Sequence, residues 1–294
     1  MKSMFNIMDK KWIFFGIAIA ILVTGVVSFF IQNLNLDIDF AGGVLITYEL
    51  NQEFDQSEAE ELVRSVLGDI PFGVQRMGGT AMTIRFPYAE GVDTTEAVRE
   101  LDAAITARFG AFEVLSRDYI SPTVGRELAT STLWMVLIAA LVMLIYISIR
   151  FEFVTACVLV LSLIYNLGVM MTIYTLFQIP VNITFIAAIL TVLAYTSNDT
   201  IVIFDRIREN MRNAKKETYS SVANRSIWQS LTRSINTAVT TLFILCALII
   251  LGVPSIREFA FPIVVGIIIG AFSSIFIAAP LWATWKDAGV KGKA

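Results

Sequence analysis

Six windows of about 20 residues with almost no charge recur along this chain, and they limit what it can fold into more than any other feature. Crossing ~30 Å of hydrocarbon at 1.5 Å per residue takes about 20 apolar residues in a helix. The windows run 12–31, 129–149, 153–177, 181–204, 235–253 and 259–285. They predict a polytopic α-helical membrane protein with six transmembrane helices. Composition agrees, since 56% of the 294 residues are hydrophobic and 16% charged, against about 25% charged in an average soluble domain. Lys10 and Lys11 precede the first window as they would in a signal peptide. Its apolar stretch is too long for one and no Ala-x-Ala-like site follows, so it reads as an uncleaved anchor.

The short connections set an orientation. Lys2, Lys10, Lys11, Arg150, the seven Lys and Arg between 206 and 233, and Lys286, Lys291 and Lys293 fall on one side of a six-span chain. The opposite short loops, 178–182 and 254–258, hold one basic residue, Arg257. Because positive residues accumulate on the cytoplasmic side, the N-terminus 1–11, the loop 205–234 and the tail 286–294 are expected in the cytoplasm. The region 37–127 is then extracytoplasmic. From Asp37 to Arg126 there are 16 acidic residues against 7 basic ones, and from Asp205 to Arg233 there are 7 basic against 3 acidic. The two polar regions are expected to face opposite sides.

The 37–127 region carries its own pattern. Asp37 to Leu50 alternates and is β-rich; Ser57 to Leu67 is helical, with Ser57 and Glu60 spaced as a capping box. Gly73 to Met77 and Thr80 to Phe86 read as paired strands around Gly78 and Gly79. A helix over Thr94 to Phe109 has Asp93 and Glu96 at cap spacing, and Phe112 to Ile120 closes as a strand. The order βαββαβ predicts a small α+β, ferredoxin-like module between helices 1 and 2.

Several chemistries lose their usual residues. Histidine is absent, removing the side chain that titrates near neutrality and the commonest metal ligand. Cys157 and Cys246 sit inside apolar runs, where they read as packing residues. No phosphate-binding glycine loop occurs. No cofactor, metal, nucleic-acid partner or enzymatic activity is expected, and proton chemistry falls to carboxylates.

One carboxylate stands out. Asp199 lies inside the fourth window, where a charge costs roughly 2.5–3.5 kcal/mol on insertion scales. By i, i+3, i+4 spacing it shares a face with Thr184, Ala188, Thr191, Tyr195, Asn198 and Val202. Such a stripe suits a protein interior or a hydrated cavity. Two readings fit: a proton- or ion-handling group, or a static hydrogen bond to a neighbouring helix. Arg233, which opens the fifth window with Thr237, Thr240 and Thr241 beyond it, reads either as its counter-ion or as a residue that reaches the interface and sets orientation. Asp205, Arg206, Arg208 and Glu209 read as a solvated helix end held by pairs three and four apart. Gly266, Gly270, Ser274 and Ala278 form a small-residue line for close helix approach, within the chain or against a partner.

Five segments together resemble the SecF family of bacterial protein-export subunits: LDIDFAGG (36–43), SPTVGREL (121–128), YTSNDTIVIFDRIREN (195–210), RSINTAVTTLF (233–243) and IREFAFPIVVGIIIGAFSSIFIAAPL (256–281). The first makes Asp37, Asp39, Gly42 and Gly43 motif residues, and the third does so for Asp205 and Arg206. The resemblance implies membership of the resistance-nodulation-division superfamily, whose complete unit has two six-span halves. A SecD-like six-span partner, a SecYEG-type translocation channel and a translocating preprotein are implied, in the bacterial cytoplasmic (inner) membrane. It further implies use of the proton-motive force late in export, with Asp199 as the proton-coupling residue and Arg233 as its modulator. The alternatives are a proton-coupled exporter subunit for a small molecule or lipid and a non-energised scaffold of the translocase.

Overall fold

The computed structural model describes residues 6–77, 79–88, 93–214 and 217–291. Lys2, Lys215, Lys216 and Lys293 of the orientation argument and Gly78 of the hairpin lie outside the described residues. After a short turn at Met8–Lys10 come α1 (Lys11–Gln32), α2 (Ile38–Ala41), β1 (Gly43–Glu49), α3 (Gln56–Leu67), β2 (Gly73–Met77) and β3 (Ala81–Pro87). Next follow α4 (Thr94–Phe109), β4 (Glu113–Ile120), α5 (Pro122–Arg150), α6 (Phe153–Leu176), α7 (Ile183–Asn213), α8 (Tyr219–Leu251), α9 (Pro254–Ser273), a π-helical turn (Ser274–Ala278) and α10 (Ala279–Lys291). Among the described residues six stretches are long and apolar enough to cross a membrane, and each overlaps one expected window. The chain divides into two compact units, one of Leu36–Trp134 with Pro180–Ile183 and one of the remaining helices.

In the α+β unit the four strands pair antiparallel in the order β2-β3-β1-β4. The connections through α3 and α4 each step over one strand, which makes the expected split βαβ arrangement. Alternation along β1 buries Val44, Ile46 and Tyr48 on one face. Met82, Ile84 and Phe86 of β3, Val63 and Leu67 of α3, and Val98, Leu101 and Ile105 of α4 complete that core. Each large apolar side chain so buried stabilises the unit by roughly 1.5–3 kcal/mol.

Local chemistry shifts two expected boundaries. The β-like run after Asp37 opens instead with the helical turn α2, because Asp37 Oδ1 accepts the Ile38 amide at 2.9 Å and Arg85 donates to Oδ2 at 2.6 Å. At α3 the cap is Asp55, which accepts the Ser57 amide at 2.7 Å, and not the Ser57–Glu60 box. At α4 Asp93 caps as its spacing indicates, accepting the Thr95 amide at 2.9 Å. Gly42 has φ +76°, and a Cβ there would lie 2.8 Å from Pro122 Cα; one on Gly125 would lie 2.6 Å from the Phe40 carbonyl. Segments 36–43 and 121–128 therefore pack on each other with no room for side chains at these glycines.

In the helical unit the Gly266, Gly270, Ser274 line packs within the chain, on α7. A Cβ on Gly266 would lie 2.3 Å from Val192, and one on Gly270 would lie 2.3 Å from Thr196 Oγ1. One turn on, the Ser274 and Thr200 hydroxyls meet at 2.7 Å. The stretch 205–234, read as a loop, is helical on both sides of residues 214–218. The Arg208–Asp205 and Arg206–Glu209 pairs support the end of α7, and Thr218 caps α8 by accepting the Ser221 amide at 3.2 Å.

Candidate functional site

Asp199 sits on α7 and is 9% exposed. The hydroxyls beside it on the helix are committed elsewhere: Ser197 donates to the Leu193 carbonyl at 2.6 Å, and Thr200 donates to the Thr196 carbonyl at 2.9 Å. A hydroxyl has one proton, so Ser274 is the donor in its bond to Thr200. None of these groups bonds the carboxylate, and Asp199 Oδ2 has no hydrogen-bond partner in the protein among the described residues.

The groups that bear on Asp199 come from α8: Ser234 and Arg233. Ser234 is buried, and its hydroxyl faces the carboxylate without closing a hydrogen bond of normal geometry. Arg233 is exposed, and no ion pair joins it to Asp199 among the described residues. The arginine is thus an exposed neighbour of the carboxylate, one residue before Ser234 on α8.

The expected stripe on α7 divides in two. Ala188 and Asp199 are buried, Tyr195 and Val202 are half-buried, and Thr191 and Asn198 are exposed. The Tyr195 hydroxyl meets that of Thr241 on α8 at 3.4 Å. On α8 the hydroxyls of Thr237, Thr240 and Thr241 donate to carbonyls of their own helix. The Arg233 guanidinium and the amides of Asn198 and Asn236 remain on the outer surface of two spanning helices. Hydrocarbon offers such groups nothing, so this face is suited to protein or water.

Asp205 and Arg206 belong to a clamp at the end of α7. Arg206 donates to Gln229 at 2.7 Å, and Asn210 donates to both Ser226 and Gln229 at 2.8 Å. Arg208 donates to the Arg150 carbonyl at 3.3 Å and lies 5.0 Å from the Phe151 ring centroid. This is more than the solvated helix end expected, because it ties α7 to α8 and to the end of α5. Asp37 and Asp39 serve the α+β unit: Asp37 caps α2 and pairs with Arg85, while Asp39 accepts the Ile183 amide at 2.9 Å. Gly42 and Gly43 allow close backbone contacts there; a Cβ on Gly43 would lie 2.4 Å from the Phe86 carbonyl.

Sequence reasoning missed Ser226, Ser230 and Ser234. All three are buried on α8 and recur every fourth residue up to the buried Ala238. The spacing that exposed the line on the last span would have found this one.

The C-terminal model of the protein-export membrane proteins SecD/SecF matches residues 101–288. The chain is 35% identical to the protein translocase subunit SecF of Alicyclobacillus acidocaldarius over 99% of its own length and 96% of that protein's. It is 36% identical to the protein translocase subunit SecDF of Bacillus subtilis over 96% of its own length, yet spans only 38% of that longer chain. Among solved structures it superposes on SecDF of Thermus thermophilus, a translocon-associated membrane protein, with a TM-score of 0.82 and 28% identity, covering 97% of this chain and 39% of that one. In sequence over nearly its whole length, and in fold, the chain belongs to the SecF family of protein translocase subunits.

Proposed function

We propose that this chain works with a SecD-like six-span partner beside a SecYEG-type channel in the bacterial cytoplasmic membrane, using the proton-motive force to promote late stages of preprotein export. Asp199 takes up and releases the proton, Arg233 tunes it, and Thr191, Tyr195 and Asn198 line its approach. Both termini are cytoplasmic and the α+β unit is extracytoplasmic, where it meets the emerging preprotein. The chain is not an enzyme; its output is movement. The fused SecDF relatives, of which this chain spans less than half, support the SecD-like partner.

One observation carries the reading: Asp199 is buried, has an oxygen with no hydrogen-bond partner among the described residues, and lies beside the exposed Arg233. A protonated carboxyl is neutral and loses its attraction for a cation. One charge moved through ~100 mV provides about 2.3 kcal/mol, comparable with the few kcal/mol separating two conformers. Asp199→Asn tests it in cells whose only copy is the variant. Export loses its dependence on the proton gradient while the amount of membrane-inserted chain stays constant. Export at the full rate, still sensitive to the gradient, overturns the assignment.

A further inference from the structure

Asn166 on α6 is fully buried, and neither its amide nitrogen nor its carbonyl oxygen has a hydrogen-bond partner in the protein among the described residues. Thr196 on α7 is also fully buried, and its hydroxyl oxygen is likewise unpartnered. The two are brought to one level of the bundle. Ser162 of α6 meets Ser273 of α9 at 3.4 Å, next to the Ser274–Thr200 contact. Twelve residues along α6, Tyr174 packs on Phe185 of α7 with ring centroids 4.0 Å apart, so α6 runs antiparallel to α7. Gly266 and Gly270 meet Val192 and Thr196 in register, so α9 runs parallel to α7. One turn from the serine layer toward Tyr174 therefore reaches Asn166 on α6, Gly270 on α9 and Thr196 on α7. Gly270, lacking a Cβ, lets the Thr196 hydroxyl come in against the α9 backbone at that level, where a Cβ would lie 2.3 Å from Thr196 Oγ1.

A partner chain cannot satisfy groups with no exposure, and a primary amide with all of its polar atoms unmet in an apolar medium costs several kcal/mol. Buried water resolves this where a site is polar and offers two to four partners. Asn166 supplies a donor and an acceptor, the Thr196 hydroxyl supplies either, and the long Ser162–Ser273 contact one turn away leaves capacity there too. We propose that Asn166 and Thr196 hold bound water in the interior of the bundle, at the level of Gly270. The site stands on packing alone and does not depend on Asp199 carrying protons.

Radiolytic hydroxyl-radical footprinting of the full chain in lipid nanodiscs tests this, because radicals formed from bound water mark side chains beside it. Met170, one turn from Asn166 on α6, and Met82, in the apolar core of the α+β unit, are equally hidden at 1% and 0% exposure. Met170 is oxidised several-fold faster than Met82 in the wild-type chain. Asn166→Leu brings it down to the Met82 rate, and Asn166→Ser, which keeps room and a hydroxyl, leaves it high. Equal rates for Met170 and Met82 in the wild-type chain, or a fast Met170 unaffected by Asn166→Leu, overturn the proposal. The wild-type comparison stands even if a variant fails to fold.

Discussion

In the α+β unit the buried Tyr48 hydroxyl donates to Asp102 at 2.8 Å, Arg117 donates to the same carboxylate, and Arg85 meets Asp37 at 2.6 Å. In the helical unit Ser28, Asn166, Thr196, Asp199, Ser234 and Trp282 each keep a buried polar atom with no protein partner, and every such side chain among the described residues lies in that unit. The contrast runs against solvent logic. An unmet group is most expensive where water is absent, yet it is the spanning helices that retain them. The α+β unit is therefore built to be complete by itself. The bundle carries polar groups whose use lies in water, a proton or a second chain.

The largest test of that contrast is Asp37→Ala, which removes the cap of α2 and the 2.6 Å charged contact with Arg85 and destabilises the α+β unit by about 2–4 kcal/mol. Hydrogen exchange quickens in β1 and β3 and is unchanged in α7 and α9; loosening of both units would break the picture of a self-contained domain. Next is Gly270→Val in the bundle, where the new side chain meets Thr196 Oγ1 and costs about 1–3 kcal/mol in thermal unfolding, with exchange rising in α7 and α9 only.

Tyr48→Phe removes a buried hydrogen bond and costs about 1 kcal/mol. It also changes a pH profile. Burial, and then the Asp102 carboxylate, push the Tyr48 phenol well above its usual value of 10.0. Folding thus favours the neutral phenol, so its contribution is whole below that value and is lost as pH rises past it. The wild-type α+β unit therefore loses protection progressively as pH rises above about 10, and Tyr48→Phe flattens that loss. The smallest effect is Arg99→Ala, which breaks an exposed pair with Glu96 and stays within about 0.5 kcal/mol.

The spans and the βαββαβ order are legible in the sequence because each rests on a period or a length repeated over many residues. Single-residue choices are less legible. Asp55 and Ser57 are both good caps, and only the backbone path decides that the aspartate takes the Ser57 amide. Asp37 sits in a β-like run, but the turn it caps depends on Arg85, distant in sequence. At the site, Asp199 is conspicuous as a charge in an apolar window. Its surroundings are less so: Ser234 is one serine among several, and Asn166 is an isolated amide whose significance appears only when Thr196 and Gly270 arrive from other helices. The helix ends beyond the membrane windows escape a hydropathy reading because Arg206, Asn210 and Gln229 extend the helices with polar contacts.

The π-helical turn at Ser274–Ala278 lodges one residue more than an α-helical turn holds. A residue removed elsewhere in the last span rotates everything beyond it by about 100°, since an α-helix has 3.6 residues per turn. Removal of Phe276 instead relaxes the turn to a plain α-helix and keeps Gly266 and Gly270 in phase with Trp282 and Ala283. The turn is thus where the last span takes up an extra residue while Trp282 and Ala283 still look inward.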